Sequence, residues 1–589
     1  MKRNHWLVVI CALLAVLTVI LVTKFGIGIT PDSTVYIEAA RNLLNGRGLI
    51  ALTAKGELVP MTHYPPLYSS LLALIALTHL SIEVAARWFQ AILFGANVLV
   101  VGLTIARYAR DSFWLPIVGS LLMLTAPDVL SIHALALTEP LFILLAVSCL
   151  VTLARFLETE RWWCLLIAAA LAALAVLTRY VGAAVIITGL IALLLVGKSA
   201  WRKRFSSAIV FGAVACAPIF MWMLRNSRLT GGATDRQMVI HSPGLKQIVV
   251  AMSTLSSWLL LGKVRGDLRV GFFIAEVVMA AFFVLYLLKE SRRSSGGSVS
   301  AGITHHPGPD AAKLSLVLVI FIISYVGFLV ITATLFDVVM FDERTLVPVH
   351  VVSIILVIGL VARLLPRVQT RRAIRLAFSL VALALLDSYT LRAANWFTQT
   401  RPDGQYYAGS IWKDSNTIAR LRSLPPNIPI YSNGHDAIYY LTGRPAVLIP
   451  AKTVFVTGQP NQDYEAELER MRRALRDQRG VLVYFNTLPE RWFLPTESEL
   501  KTRLSLTEIA KSSDGSIWQV RQKPARSDLR FLIQIPDSAK IKSFPTFTRP
   551  TIGRVLSNSR CAVRSQIVPA PTAWLRTPGE NVRRDHWRG

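Results

Sequence analysis

Long apolar runs recur along most of this 589-residue chain, and they constrain its fold more than any other feature. Each is long enough to cross a hydrocarbon core of about 30 Å at about 1.5 Å per residue. The chain is 53% hydrophobic and only 17% charged, whereas a soluble domain carries about 25% charged residues. These features predict an all-α polytopic membrane protein.

The hydropathy pattern predicts about eleven membrane spans. They cover residues 6–23, 84–106, 113–128, 135–154, 162–178, 182–197, 206–224, 270–288, 314–334, 345–362 and 374–391. If the spans alternate, the Lys- and Arg-rich connections, such as 198–204 and 363–375, all fall on one side of the membrane. The positive-inside rule then predicts a plasma-membrane protein with a cytoplasmic N-terminus and extracytoplasmic loops at 24–83 and 225–269.

The chain is expected to divide into a membrane domain of residues 1–391, an extracytoplasmic α/β domain of residues 392–525 and a tail of residues 526–589. In the second region, "NIPIYSNGHDAIYYLTG" predicts a strand, a turn and a short helix, and "YEAELERMRRALRDQ" predicts a charged helix. "GVLVYF" and "SIWQV" predict two further strands. The tail is basic and lacks periodicity, so we expect it to be disordered.

The net charge of +28 lies in the connecting loops and the tail, without interleaved aromatic residues. This distribution argues against a nucleic-acid partner. The five cysteines are scattered and form no CxxC or Cys/His cluster, so no disulfide framework or structural zinc site is predicted.

The stretch "GIGITPDSTVYIEAARNLLNGRGL", residues 26–49, predicts a short amphipathic helix just after the first span. Pro31-Asp32 begins the helix and Asn45-Gly46 ends it. Asp32 has two interpretations. It is an N-cap that accepts backbone N–H groups, or it is a functional carboxylate at the membrane surface, and one residue can fill both roles.

Other ionisable residues concentrate at the outward ends of the spans: Asp128, His133, Glu139, Arg179, Arg225, Arg228 and Arg344. Charges at the hydrocarbon boundary are costly unless they are paired or serve a site. Each also has a structural interpretation. Asp128 fits a turn after Pro127, Glu139 can pair with Arg179, and arginines can extend to lipid head groups.

Carboxylates and arginines at one membrane face suit one kind of chemistry. A carboxylate can accept the proton of an attacking hydroxyl, and arginines can neutralise a departing phosphate. A nucleotide sugar is cytoplasmic, so a phosphate leaving group on the outer face points to a sugar carried on a lipid phosphate.

The chain resembles the lipid-linked-sugar glycosyltransferases of the GT-C class. "PDSTVYIEAARNLLNGRG", "HYPPLYSSLLALI", "ALTEPLFILLAVSCLVTLARFL", "AVLTRYVGAAV" and "DERTLVPVHVVSIIL" carry the resemblance, as an ordered set over residues 6–391. Within the class it is similar to the aminoarabinose transferase and protein O-mannosyltransferase branch (families 39 and 83). The resemblance implies transfer of a sugar from a polyprenyl-phosphate donor, with inversion, on the extracytoplasmic face.

The resemblance also assigns residues. It implies that Asp32 is the catalytic base and that Glu139 is the second acid, with Asp128 as the competing candidate. It implies that Arg344 is a phosphate contact, and we expect Arg225 or Arg228 to bind the phosphate with it. The full set of expected substrate-binding residues is His63, Tyr64, Asp128, Arg179, Arg225, Arg228 and Arg344. Relatives often carry Lys or His directly before Pro-Pro, where this chain has Tyr64. We therefore expect His63, one position earlier, to supply the phosphate contact from this turn.

The predicted function is therefore a membrane glycosyltransferase whose acceptor is an envelope glycan, a lipid or a protein. No cofactor is expected, because arginines carry the phosphate charge, although two acids on adjacent loops leave a divalent metal open. The alternative function is a flippase for lipid-linked sugars, which predicts inverted repeats and ionisable residues at the bilayer midplane.

Overall fold

The computed structural model describes residues 5–109, 112–236, 238–240, 244–259, 269–274, 278, 309–336, 339–364, 372–455, 457–488 and 491–521. The predicted span 270–288 lies mostly outside these residues, and the tail 526–589 lies wholly outside them.

Ten of the eleven predicted spans coincide with helices, and the all-α membrane fold with a small C-terminal sheet is confirmed. The membrane-region helices are α1 (His5–Val22), α2 (Pro31–Leu44), α3 (Leu67–Ala76), α4 (Ile82–Tyr108), α5 (Leu115–Thr125), α6 (Pro127–His133), α7 (Glu139–Thr159), α8 (Trp162–Thr178), α9 (Ala183–Leu195), α10 (Trp201–Thr230), α11 (Leu245–Ser257), α12 (Pro309–Leu335), α13 (Glu343–Leu364) and α14 (Arg372–Asp403).

Seven described helices are long and apolar enough to cross a membrane, and the pair α5 and α6, bent by 60°, makes eight if it is one span. The count is below the predicted eleven for two reasons. Helices α8 and α9 are apolar but have only 17 and 13 residues, and the segment 270–288 is mostly not described.

Helix α2 forms where the sequence predicts it, but Asp32 is not its N-cap. The cap is Thr30, whose side chain accepts a hydrogen bond of 3.2 Å from the backbone N–H of Ser33. Pro31 takes the first helical position, where its missing N–H has no consequence. Asp32 is therefore the second residue of the helix, and its carboxylate is available for tertiary contacts.

The segment before α2 is fixed on both sides. Gly28 donates to the carbonyl of Ala134 and accepts from the N–H of Ala136, both at 2.9 Å, while Tyr407 donates its N–H to the carbonyl of Ile29 at 3.1 Å. A Cβ at Gly28 would lie 2.4 Å from a methyl group of Leu135, so a larger residue here would require the Leu135 side chain to shift. The start of α2 is thereby held between the α6–α7 connection and the C-terminal region.

The connections between helices lie at two opposite ends of the bundle. At one end, which we call the site end, Tyr180 donates to the carbonyl of Thr62, and Gln247 donates to that of Val339. At the opposite end, Glu158 pairs with Arg107 and Arg155. The alternation of the predicted spans places the connections of each end on one side of the membrane, and the structure groups them in the same way.

The C-terminal region packs on the site end. It contains α15 (Ser410–Lys413), α16 (Asn416–Ser423), β3 (Ile430–Ser432), α17 (His435–Thr442), β4 (Val447–Leu448), α18 (Tyr464–Asp477), β5 (Val481–Phe485), α19 (Glu497–Leu504), β6 (Leu506–Lys511) and β7 (Gly515–Val520). Its mixed sheet has the order β4-β3-β5-β7-β6, with β3 parallel to β4 and β5. A second, two-stranded sheet joins β1 (Ile50–Leu52) and β2 (Leu58–Pro60) in the first loop.

The membrane orientation is a testable prediction. A reporter fused after Lys198, in the α9–α10 connection, should lie in the cytoplasm, because that end carries the Lys- and Arg-rich connections. A reporter fused after Asp403 should lie outside the cytoplasm. Paired phosphatase and fluorescent-protein fusions measure both sides, and matching signals at the two positions would contradict the orientation.

Candidate active site

Asp32 lies at the centre of a hydrogen-bonded cluster at the site end. Tyr64 donates its hydroxyl to Oδ1 of Asp32 at 2.7 Å, and Nη2 of Arg344 lies 2.7 Å from Oδ2. Burial raises the pKa of Asp32, but the charge of Arg344 and the hydrogen bond from Tyr64 outweigh it and hold the pKa below its usual value. Asp32 is therefore ionised, and its side chain remains 30% exposed.

Arg344 contacts a second carboxylate. Its Nε donates to Oε1 of Glu139, which is 1% exposed. Arg179 also contacts Glu139, with Nη1 at 2.7 Å from Oε1, and donates to the hydroxyl of Thr138 at 2.9 Å. The result is an ion-pair chain in which Asp32, Arg344, Glu139 and Arg179 follow one another.

Local structure explains why these residues meet. Asp32 and Glu139 lie in the first turns of α2 and α7, where the helix dipole favours a carboxylate. Arg344 lies in the first turn of α13, and Arg179 is in the turn after α8. All four positions are at the site end, so folding of the bundle brings them together.

A cavity of 950 Å³, which we call the membrane cavity, opens beside the ion-pair chain. Its polar end is lined by Asp32, His63, Tyr64, Arg179, Arg236 and Arg344. Its long wall is apolar and includes Ile187, Leu190, Ile219, Phe328 and Leu329, from α9, α10 and α12. This cavity suits an amphiphile with a charged head and a hydrocarbon chain.

A second cavity of 490 Å³, which we call the interdomain pocket, lies between α2 and the C-terminal region. Asp32 and Tyr64 line both cavities. The other lining residues of the interdomain pocket include Glu38, His435, Tyr439, Phe455 and Arg491. The Asp32 carboxylate therefore lies at the boundary between a cavity lined by membrane-region helices and a pocket lined partly by the C-terminal region.

The structure brings five of the predicted residues to the membrane cavity: Asp32, His63, Tyr64, Arg179 and Arg344. Glu139 does not line the cavity, but it contacts Arg344 and Arg179, which do. Its pairing with Arg179, which the sequence offers as a structural alternative, is present.

Two of the predicted arginines, Arg225 and Arg228, lie at the site end of α10 but do not line the membrane cavity. Arg225 donates to the side chain of Asn226 at 2.9 Å and to the carbonyl of Met61 in the first loop at 3.4 Å, and it lies over the ring of Trp222 at 4.5 Å. Arg228, one helical turn further on, is exposed. Neither lines the membrane cavity, and their predicted phosphate contact is not supported by this geometry.

Asp128 belongs to a different cluster and is not an alternative to Glu139. Its Oδ2 lies 2.7 Å from Nδ1 of His350, and the ring of His350 stacks on Trp258 with a centroid distance of 4.5 Å. Tyr389 contacts the other imidazole nitrogen at 3.0 Å. This buried group joins α6, α11, α13 and α14, and we assign it a structural role in holding the start of α13.

Sequence reasoning missed three residues that line the membrane cavity: Tyr36, Arg236 and Asp342. Tyr36 follows Asp32 by four positions and so shares its helix face. Arg236 lies in the predicted outer loop 225–269, and Asp342 is two residues before Arg344. Topology and helical spacing are therefore signals that point to all three.

Among the residues that the structure describes, no group of three or more His, Cys, Asp or Glu side chains is arranged to hold a metal ion. Asp32 and Glu139 both accept from Arg344. The metal option of the sequence analysis therefore lacks a third ligand within the described part of the chain.

Comparison with known proteins places this geometry in context. Residues 63–222 match the family described as dolichyl-phosphate-mannose-protein mannosyltransferase. No curated protein sequence matches the chain.

Three solved structures are similar in fold. The arabinofuranosyltransferase AftD from Mycobacteria shares 15% identity and a TM-score of 0.52 over 89% of this chain and 42% of its own. ArnT from Cupriavidus metallidurans, bound to undecaprenyl phosphate, shares 14% identity and a TM-score of 0.45 over 89% of this chain and all of its own. The Archaeoglobus fulgidus oligosaccharyltransferase shares 14% identity and a TM-score of 0.49 over 82% of this chain and 70% of its own.

The family match and the fold shared with AftD confirm the resemblance to membrane glycosyltransferases of the GT-C class.

Proposed function

We propose that this membrane glycosyltransferase moves a sugar from a polyprenyl-phosphate donor in the membrane cavity to an acceptor hydroxyl at Asp32, on the extracytoplasmic face. One observation carries the proposal: an ionised carboxylate and a shared arginine stand at the polar end of a cavity with an apolar wall.

The lining of the membrane cavity suits such a donor chemically. The polyprenyl chain would lie along the apolar wall, where Leu190 and Phe328 exclude water. The phosphate would lie at the polar end, where Arg344 and Arg236 supply positive charge. Arg344 is the better-placed contact, because Nη1 has no partner among the described residues and can donate to a phosphate oxygen.

The reaction is a single displacement. The acceptor oxygen attacks the anomeric carbon, and its proton passes to the carboxylate of Asp32. The bond between the anomeric carbon and the phosphate oxygen breaks, and polyprenyl phosphate leaves with the electron pair. The leaving phosphate gains one negative charge, which the guanidinium of Arg344 offsets.

Arg344 couples donor binding to the strength of the base. Without donor, its Nη2 pairs with Asp32 and depresses the pKa of that carboxyl, which makes Asp32 a weak base. A phosphate that attracts Arg344 weakens this pair, so the pKa of Asp32 rises and the carboxylate becomes a better proton acceptor. The base is thus strengthened only when the donor is present.

Glu139 supports this arrangement without lining the membrane cavity. It is almost fully buried and holds Arg344 and Arg179, so it orients the phosphate-binding side and does not touch the acceptor. We propose that the two guanidiniums and Arg236 carry the phosphate charge without a metal ion. The flippase alternative is not favoured, because these ionisable residues lie at helix starts and not within broken helices at the midplane.

The first test asks whether Asp32 acts as the general base or only supports the start of α2. Asp32→Asn keeps an acceptor for Tyr64 but removes the proton acceptor, so transfer by the purified protein should fall by about 10²–10⁴. The donor is the polyprenyl-phosphate sugar extracted from membranes of the native host. Thr30→Ala is the matched control: it removes the true cap, should lower the free energy of unfolding by about 1 kcal/mol, and should leave the transfer rate unchanged. Near wild-type transfer by folded Asp32→Asn would refute the role of Asp32.

The second test concerns the phosphate contact. Arg344→Ala should lower kcat by about 10²–10³, because one donor to the developing charge is lost. Arg344→Lys should recover only part of the rate, since an ammonium keeps the charge but loses the planar, two-pronged contact of a guanidinium. Arg228→Ala, on the exposed face of α10, is the control and should be fully active. Full activity of Arg344→Lys would show that Arg344 contributes only a positive charge and would contradict the planar phosphate contact.

The third test is the pH dependence of the rate. In the free enzyme Arg344 holds Asp32 ionised, so the acid limb of kcat/KM for the donor should lie below the ordinary Asp range of about 4. In the donor complex the pKa of Asp32 rises, so the acid limb of kcat should lie at higher pH. Acid limbs that coincide, or that lie in the reverse order, would contradict the exchange of Arg344 between Asp32 and phosphate.

A further inference from the structure

The interdomain pocket gives Asp32 a second neighbour, the C-terminal region. It shares Asp32 and Tyr64 with the membrane cavity, but its other walls come from α2 and from residues 435–493. If the donor fills the membrane cavity, an attacking hydroxyl can reach the carboxylate of Asp32 from this second side. The residues that line the pocket therefore indicate which chemical class of acceptor it can bind.

The polar wall of the pocket is rigid. Asp436 accepts from the hydroxyl of Tyr407 at 2.7 Å and from Nη2 of Arg491 at 3.2 Å. Tyr439 donates to Glu38 on α2 at 2.8 Å. These contacts fix the polar groups before any ligand arrives, which lowers the entropy lost on binding.

Among the described lining residues, Nδ1 of His435 is the buried side-chain polar atom without a hydrogen-bond partner. Its Nδ1 is buried, makes no hydrogen bond with a described residue, and lies 3.6 Å from Oδ1 of Asp436, which is too far for one. Burial lowers the pKa of His435, so the ring is neutral and offers one donor and one acceptor. Such a group can bind a hydroxyl, which also donates and accepts.

Aromatic side chains continue the pocket outward. Phe455, Trp492 and Phe493 pack together with ring centroids 5.1 to 6.4 Å apart, and we call them the aromatic platform. Phe455 and Trp492 are 55% and 54% exposed. Exposed aromatic rings beside fixed hydrogen-bonding groups suit a sugar, because its C–H faces pack on rings while its hydroxyls bind polar groups.

Two features disfavour other acceptors. A peptide would add a strand at an exposed sheet edge, but at edge strand β4 the N–H of Leu448 already donates to the carbonyl of Ala54 at 2.7 Å. An anionic group would meet the carboxylates of Asp32, Glu38 and Asp436 against the single cation Arg491, among the described lining residues.

We infer that the interdomain pocket and the aromatic platform bind a neutral glycan chain, whose terminal hydroxyl is the acceptor at Asp32. This inference rests on the proposed function and names the substrate class of its second site. His435 and Tyr439 bind hydroxyls of the terminal sugar, and Phe455 and Trp492 support the sugars that follow.

The test uses full-length variants in the native host lacking the endogenous protein. The variants are Phe455→Ala, Trp492→Ala, their double variant, Asp32→Asn and the wild type. Ile509→Ala, 40% exposed on the far edge strand β6 of the same sheet, is the matched control. Mass spectrometry measures the polyprenyl-phosphate sugar pool and one transferred sugar in the neutral glycan, anionic glycan, protein and lipid fractions.

We expect the sugar in the neutral glycan fraction, and about tenfold less of it in the double variant, since two aromatic contacts are lost. The donor pool should rise in that variant, while Ile509→Ala should match the wild type. The inference is overturned if the sugar lies in another fraction, or if the double variant transfers normally while Asp32→Asn does not. If Asp32→Asn also transfers normally, the proposed function fails first, and the two failures are thereby distinguished.

Discussion

Arg344 is shared between the carboxylates of Asp32 and Glu139, and the arrangement of the site end depends on this ion pairing. A guanidinium at the hydrocarbon boundary is costly unless acceptors surround it. Here α2 and α7 supply those acceptors from their first turns, and Arg179 completes the charge balance. The helices are therefore tied together by the same residues that would bind a phosphate and accept a proton.

This sharing explains how one site can be both stable and reactive. In the proposed reaction, the ion pair keeps Asp32 charged when no donor is present, and a phosphate that draws Arg344 away would restore the basicity of Asp32. Tyr64 holds the other carboxylate oxygen throughout, because burial and the charge of Asp32 raise the pKa of its hydroxyl and keep it a donor. Asp32 is thus oriented toward both cavities without depending on Arg344 alone.

Local signals made much of this architecture predictable. Apolar runs located the spans, Pro31 and Asn45 marked the limits of α2, and the positive-inside pattern assigned Asp32, Glu139, Arg179 and Arg344 to one end. The strands around "GVLVYF" and "SIWQV" were also predictable, because buried strands have short β-branched and aromatic runs.

Contacts between distant segments were not predictable in the same way. Thr30 rather than Asp32 caps α2, since the choice between adjacent residues depends on the exact backbone path set by Gly28. Asp128 lies close to Glu139 in sequence but faces His350, 222 positions away, because α6 turns by 60° from α5. The interdomain pocket joins residues 31–64 to 435–493, and no local pattern encodes such a pairing.

The central claim, that Arg344 is exchanged between Asp32 and a lipid phosphate, can be measured without any sugar or acceptor. The measurement is the Kd of purified wild-type and Asp32→Asn protein in nanodiscs for undecaprenyl phosphate. Asp32→Asn removes the carboxylate that competes for Arg344, so it should bind the lipid phosphate more tightly than the wild type. Unchanged or weaker binding by a folded Asp32→Asn protein would contradict the exchange.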